Sequence, residues 1–338
     1  MPLVSVICPV FNTDASMLRA AAASVLSQTG GAQAVQGQGQ EAVELELLLV
    51  DDGTTAPATL EALEAIAADP RVRFIRNPRN LGPAGTRNAG IRAARGSLIG
   101  FIDADDLWPE GSLAVRLSAP AGPGDCILGA FEELLPGELR VTASPLPLSE
   151  EGQLLRDDWY AWEPDQAAPG LIAGWRHLGC LLAPKEALEE VGLFDETLLY
   201  GEDWLLMVRL AAARRIVGTE KPLYILRRQH ASMMTRRERL TRAFSKAQET
   251  AYSDRRLRPY RKQLRWAVVR QYKGMAVNSL ANGVPLNGVR CALLAWSMDP
   301  REVPQLLTFL RAAMTRDPSR RNETARRYCN AVVTPGLA

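Results

Sequence analysis

Three carboxylates fall within four positions of this chain, Asp103, Asp105 and Asp106, directly behind the apolar run SLIGFI. A second acidic pair, Asp51-Asp52, closes the apolar run ELLLV just before Gly53. A third, Glu202-Asp203, opens the amphipathic stretch WLLMVRLAAARR. Acids gathered at the ends of buried strands repel one another and push their own pKa values up. A divalent cation resolves that conflict, because carboxylate oxygens are hard ligands that suit Mg²⁺ or Mn²⁺. Mg²⁺ is usually held by one or two carboxylates together with substrate phosphates, so the cluster points to a metal-bound diphosphate. The two histidines, His177 and His230, stand alone in sequence. Cys8, Cys126, Cys180, Cys291 and Cys329 share no metal-ligand spacing and read as free thiols of a reducing compartment.

Regular elements must carry these acids to one place. LVSVICPV (3–10), ELLLV (46–50), VRFI (72–75) and SLIGFI (97–102) read as buried strands. Helical stretches at 15–28, 57–68 and 84–94 separate them. Fully apolar strands alternating with helices predict an α/β fold, a mostly parallel central sheet with helices on both faces. In such a sheet ligands sit outside the carboxyl ends of the strands. Pro9-Val10-Phe11-Asn12, Asp51-Asp52-Gly53 and Asp103-Ala104-Asp105-Asp106 are therefore expected to meet at one rim. The Gly/Gln-rich stretch 30–43 reads as an inserted surface loop, 119–175 as short strands and loops at the far edge of the sheet, and 184–215 as helix again. After about 236 the chain becomes basic and helical, with further helices expected at 285–298, 300–316 and 319–330. Two domains are expected, 1–235, with halves of about 1–118 and 119–235, and a helical region at 236–338.

Five ordered pieces carry a resemblance: VSVICPVFN, LLLVDDGTT, RNPRNLGPAGTRNAGIRAARGSLIGFIDADDLW, GLFDETLLYGEDW and YILRRQHAS. In content and order the chain resembles the inverting family 2 glycosyltransferases of GT-A fold, over roughly residues 1–235. The resemblance implies a nucleotide-sugar donor and a divalent metal as cofactor. It implies that Asp103 and Asp105 are the DxD pair, Asp105 on the metal and Asp103 on the ribose or the metal. It implies that Asp52 accepts a hydrogen bond from the base, that Phe11 stacks on the base where relatives often have Tyr, and that Arg87 approaches the nucleotide or its phosphates. Pro9, Asn12 and Trp108 flank the donor motifs and are expected to line the same site. Asp203 matches the catalytic base, with Glu202 and Trp204 beside it on the acceptor side. His230 matches a histidine that completes the metal shell in some relatives, though a lone histidine is equally at home in a structural role.

The chemistry follows without the resemblance. A nucleoside diphosphate leaves only if its new charge is stabilised, and a hydroxyl attacks only if a carboxylate takes its proton. One base and no protein nucleophile mean a single displacement and inversion. Simpler roles remain open for some residues. Asp106 with Pro109 fits a helix cap, Glu202-Asp203 suits a helix N-terminus, and Trp204 is either core or an acceptor platform. GPAGTRNAG fits neither GxGxxG nor the P-loop, which argues against dinucleotide or ATP binding there.

The charge total of +2 names no partner, but 236–273 is dense in Arg and Lys. That stretch reads as a solvated face, then as a membrane-surface contact, and no nucleic-acid-reading motif accompanies it. No basic leader precedes the first strand and no segment is apolar enough to span a bilayer, so a cytoplasmic protein is expected, soluble or peripheral at the inner face of the membrane. The expected activity is transfer of a sugar, most simply from a UDP-sugar, to a hydroxyl of a glycan or lipid-linked acceptor in bacterial surface polysaccharide synthesis. The alternatives are a nucleotidyltransferase, which would want a Gly-rich loop after the first strand, and a nucleotide-sugar-binding protein without activity.

Overall fold

The computed structural model describes residues 3–28, 44–135, 140–143, 152–174, 176–228, 237–281, 285–299 and 309–310. The expected insertion at 30–43, His230 and all but residues 309 and 310 of the helices expected after 300 lie outside the described residues. The chain divides into two compact units, Met1–Ser232 and Met233–Ala338.

In the first unit the apolar runs become β1 (Leu3–Val10), β2 (Glu44–Asp51), β3 (Val72–Arg76) and β4 (Leu98–Phe101). Every pairing among them is parallel, in the spatial order β3-β2-β1-β4. Parallel neighbours need crossovers, and α1 (Ala15–Leu26), α2 (Pro57–Ala67) and α3 (Gly82–Ala93) supply them. Val4, Val6, Ile7, Leu47, Leu48 and Leu49 are inaccessible to solvent, as strands covered on both faces require.

Beyond β4 the sheet is mixed rather than mostly parallel. Its remaining strands are β5 (Cys126–Leu134), β6 (Arg140–Ala143), β7 (Gln153–Arg156), β8 (Trp159–Trp162), β9 (Leu181–Pro184) and β10 (Ile216–Arg227). The order continues β4-β9-β5-β10-β8-β7, with β6 paired to β5 off this path. Of the strands expected at the far edge, β5 instead lies inside the sheet between β9 and β10. β9 is antiparallel to β4, with Leu98 opposite Pro184 and Gly100 opposite Leu182. The chain therefore enters β9 at the rim where β4 ends, and the residues just before β9, His177 among them, arrive beside the acids.

Pro9 sets where that rim opens. The Ile102 N–H donates to the Ile7 carbonyl (3.0 Å), and the β1–β4 register ends at Ile7 opposite Phe101. Pro9 is next on that side of β1 and has no N–H to extend the ladder. The chain after β4 is thus free to leave the sheet as the loop Asp103–Asp106. Leu107 then bridges to Ile225 of β10 through reciprocal backbone bonds (3.0 and 2.8 Å), which fixes the far side of the loop. The later helices of this unit are α4 (Ser112–Leu117), α5 (Pro164–Ala173), α6 (Lys185–Glu190) and α7 (Glu202–Ala213).

The second unit is helical among its described residues: α8 (Arg237–Ser253), a 3₁₀ turn (Arg255–Tyr260), α9 (Arg261–Ala281) and α10 (Pro285–Met298). Val268, Val269, Tyr272, Met275 and Ala276 of α9 pack with Cys291, Ala292 and Ala295 of α10 and with Phe309. Among the described residues, no helix is long and apolar enough to cross a membrane.

Candidate active site

Arg87 is the hub of the acidic rim. It projects from α3 and is 7% exposed. Its Nη2 donates to Asp103 Oδ1 (2.8 Å) and its Nη1 to Glu202 Oε1 (2.9 Å). One guanidinium thereby joins the loop after β4 to the first turn of α7. Sequence reasoning sent Arg87 toward the nucleotide. In the structure it is committed to two carboxylates, and burial leaves it little surface to offer a ligand. Its neighbour Asn88 fixes the approach to α7: its amide N–H groups donate to Phe194 O (2.9 Å) and Glu196 Oε1 (2.8 Å), and the Phe194 N–H donates to Asn88 Oδ1 (3.0 Å). These bonds join the GTRNAG and GLFDE pieces.

α7 begins at Gly201, whose φ of 82° is a left-handed conformation that glycine adopts without strain. The turn places Glu202 and Asp203 at the positive end of the helix. The two acids then part roles. Glu202 is spent on Arg87, whereas Asp203 is partly open and accepts from the Trp204 N–H (2.7 Å). Burial, then the charge of Glu202, push the Asp203 carboxyl up to about 7.

On the donor side, burial would raise Asp103, but Arg87 outweighs it and holds the carboxyl below its usual range. Asp105 is partly exposed and is raised, by burial and then by Asp103. Asp106 is raised well above the usual value by burial and by both neighbouring acids. It caps no helix, since α4 starts later, behind Gly111. Instead its Oδ2 accepts from the Tyr224 hydroxyl (2.7 Å) and its Oδ1 from the Arg227 N–H (2.8 Å). The same hydroxyl accepts from the Asp103 N–H (3.1 Å), so Tyr224 clamps both ends of the acidic loop.

Sequence reasoning missed Tyr224 and left His177 without a role, because nothing in LYILRR or GWRHLGC marks them. His177 stacks on Tyr224, with centroids 4.5 Å apart, and its Nε2 lies 3.7 Å from Asp103 Oδ2 and 3.8 Å from Asp106 Oδ2. Burial takes its pKa down to about 4, so the ring is neutral at physiological pH. Gly179 makes the stack possible: a Cβ there would sit 1.9 Å from the Tyr224 ring. Arg116, fully buried, donates to the carbonyls of Gly179 (2.8 Å), Cys180 (2.9 Å) and Leu223 (2.8 Å), tying this turn to β10.

Asp103, Asp106 and His177 bring potential ligand atoms within 4.8 Å of one another. The Gly179 N–H donates to His177 Nδ1 (3.2 Å), so the ring proton sits on Nε2, the nitrogen that faces the acids. His177 Nε2 thus faces Asp103 and Asp106 from just beyond hydrogen-bond distance. The carboxylates do fit a divalent cation. Asp105, Asp106 and Asp203 are all pushed upward, by burial first and by neighbouring acids after it, and hard oxygen donors of this kind suit Mg²⁺ or Mn²⁺.

The other expected residues divide between rim and core. Phe11 is 52% exposed at the end of β1. Pro9 is partly buried, and Asn12, at φ 48°, accepts on Oδ1 from the Thr55 and Ala56 N–H groups (both 2.9 Å), which joins the ends of β1 and β2. Asp52 is buried. Its Oδ1 accepts from Asn77 Nδ2 (2.8 Å) and the Leu81 N–H (2.8 Å), its Oδ2 from the Gly82 N–H (2.9 Å). This carboxylate anchors the start of α3, the helix that carries Arg87. Replacing it with Ala is expected to cost about 3 kcal/mol, since three donors to a charged group lose their acceptor; the check is a lower urea midpoint at unchanged slope. Trp108 and Trp204 are not substrate platforms. They are buried, and their indole N–H groups donate to the carbonyls of Phe101 (3.2 Å) and Leu171 (2.9 Å). An indole whose polar edge is satisfied inside the core has nothing left to present.

Residues 5–132, β1 through most of β5, match the sequence model of Glycosyl transferase family 2. That stretch of the chain is thus similar to the family 2 glycosyltransferases. The chain is 40% identical over 176 residues to the succinoglycan biosynthesis protein ExoO of Rhizobium meliloti (strain 1021), an overlap covering 51% of the chain and 49% of ExoO. It is 32% identical over 116 residues, 34% of the chain and 40% of the relative, to the UDP-Glc:alpha-D-GlcNAc-diphosphoundecaprenol beta-1,3-glucosyltransferase WfgD of Escherichia coli. The chain spans about half the length of these curated relatives. In fold it resembles S. aureus TarS 1-349 in complex with UDP-GlcNAc, with a TM-score of 0.64 at 16% identity, covering 97% of this chain and 92% of that one. This is the GT-A fold expected of the family 2 pieces.

Proposed function

We propose that the chain transfers a sugar from a UDP-sugar to a hydroxyl of a glycan or lipid-linked acceptor, with inversion, in bacterial surface polysaccharide synthesis. The observation that carries this reading is the division of labour around Arg87: one arm holds the donor-side Asp103, the other holds Glu202 and leaves Asp203 free. The names of ExoO and WfgD support the setting and a lipid-linked acceptor, and WfgD and the TarS complex support UDP.

In this reading the exposed Phe11 ring takes the base, and Asp103 with Asp105 holds the diphosphate end through a divalent cation. Such a cation, when bound, supplies the Lewis-acid charge that lets the diphosphate leave. Asp203, poised near neutrality, takes the acceptor proton as the hydroxyl attacks. Glu202 is held by Arg87 and Asp203 is left to act as base, which supports a single displacement with inversion. Leu199 (88% exposed) and Tyr200 just ahead of α7 offer the acceptor an apolar and aromatic ledge. The Arg- and Lys-rich composition of the second unit supports a seat at the cytoplasmic face of an anionic membrane.

The test is calorimetry of UDP-, GDP- and dTDP-sugars with Mn²⁺ present and absent. Binding of a UDP-sugar that weakens at least about tenfold without Mn²⁺ is expected. Equal affinity with and without the metal, or preference for another nucleotide, removes that part of the proposal. Binding without turnover, once candidate acceptors have been supplied, would leave a nucleotide-sugar-binding protein.

A further inference from the structure

α10 is apolar on both sides, and its side-chain sizes are the reverse of what a surface helix shows. Its small residues Cys291, Ala292 and Ala295 face α9 in the core of the second unit. Its large ones look outward: Leu286 is 85% exposed, Leu293 43%, Trp296 40% and Leu294 36%. A helix stabilised by burial in its own domain packs Leu and Trp inward. With about 100° between successive residues, Leu286, Val289, Arg290, Leu293, Leu294, Trp296 and Ser297 fall in one sector, opposite the buried trio. That sector frames a shallow hollow of about 510 Å³, carries no acid and has Arg290 as its one base. Contiguous exposed apolar surface of this kind marks an interaction site.

Charge decides among the possible occupants. Residues 233–338 hold 21 Lys and Arg against 7 Asp and Glu, a net +14 that the whole-chain value of +2 conceals. Two copies meeting through α10 would bring two such units together, against their mutual repulsion. An anionic bilayer reverses that sign and also offers a hydrocarbon boundary for Leu and Trp. A helix with Leu and Trp on one face in a strongly basic setting is the form that lies in a membrane interface.

We propose that the outward face of α10 seats on a lipid bilayer carrying anionic headgroups. Leu286, Leu293, Leu294 and Trp296 enter the acyl boundary, and the basic side chains of the unit meet the headgroups. The proposal deepens the membrane location given above and rests on that part of it alone, not on the transfer chemistry.

The test is flotation of the full chain with vesicles of phosphatidylcholine alone and with 30% phosphatidylglycerol added, comparing wild type with the double variant Leu286→Gln, Leu293→Gln. Both side chains are solvent-facing, so circular dichroism and Tm should stay unchanged. Wild type is expected to float with the anionic vesicles at least about tenfold more than with the neutral ones, and the double variant to lose about tenfold of that binding. Salt-sensitive binding that is equal in wild type and variant would overturn the role of α10 while leaving the basic attraction standing. No binding to anionic vesicles would overturn both. A wild-type dimer that the double variant dissolves would assign the face to a second copy of the chain and overturn the proposal.

Discussion

Asp203→Asn is expected to lower sugar transfer by about 10³-fold while leaving UDP-sugar affinity unchanged, the loss associated with removing a positioned general base. In the proposed function this residue and not Glu202 is the base, because Glu202 is held by Arg87. The wild-type pH profile carries the same prediction. A base must be deprotonated to act, and the Asp203 carboxyl is pushed up to about 7. Transfer is therefore expected to rise tenfold per pH unit below about 7 and to level off above it. Stability should move the other way. A raised carboxyl pKa means that the folded state binds the proton more tightly than the unfolded state, so this group costs stability as pH rises from about 4 through 7. The Asn variant escapes that cost and is expected to be more stable than wild type at pH 8, by about 1 kcal/mol or a few degrees in Tm, and equal to it near pH 4. An active Asn variant, or an unaltered pH limb, would remove Asp203 from the chemistry.

Arg87→Met is expected to be among the most destabilising single changes in the first unit. It leaves Asp103 and Glu202 at the rim without the cation that pairs them, and breaking such a buried pair typically costs about 3 kcal/mol or more. Asp103 retains some solvent access, which keeps the figure at the lower end. The pH dependence separates this from simple loss of packing. In the wild type Arg87 holds Asp103 below its usual pKa, so that pair contributes stability above the unfolded-state value and loses it as pH falls through the folded one. Without the guanidinium the burial that raises Asp103 is no longer outweighed. The gap between variant and wild type should therefore be widest at pH 8 and narrow toward pH 5, measured as urea midpoints. Adding Glu202→Gln should recover part of the loss, and strict additivity of the two changes would show that they do not act through one another.

The elements of the donor half were legible because local signals agree there. LVSVICPV, ELLLV and SLIGFI are apolar without interruption, helical stretches separate them, and acids follow two of the three. Those features fix strands, crossovers and a charged rim by rules that act over a few residues. The rest depended on contacts between residues far apart in sequence. Whether a tryptophan lines a site or fills a core is invisible in DDLW and GEDW, and it was settled by the carbonyls of Phe101 and Leu171. Asp52 reads in sequence as a residue for the base, and that its carboxylate also anchors the start of α3 is visible only in the structure, since its three donors come from 77–82.

The sequence by itself determined the α/β plan, the meeting of the acids at one rim, and the resemblance to family 2 glycosyltransferases. The tertiary structure decided which acid is paired and which is free. Arg87 lies 16 residues from Asp103 and 115 from Glu202, and Tyr224 lies 118 from Asp106. The charge state of a carboxylate follows from its nearest counter-charge and its burial, and both come into being only when the chain has closed on itself.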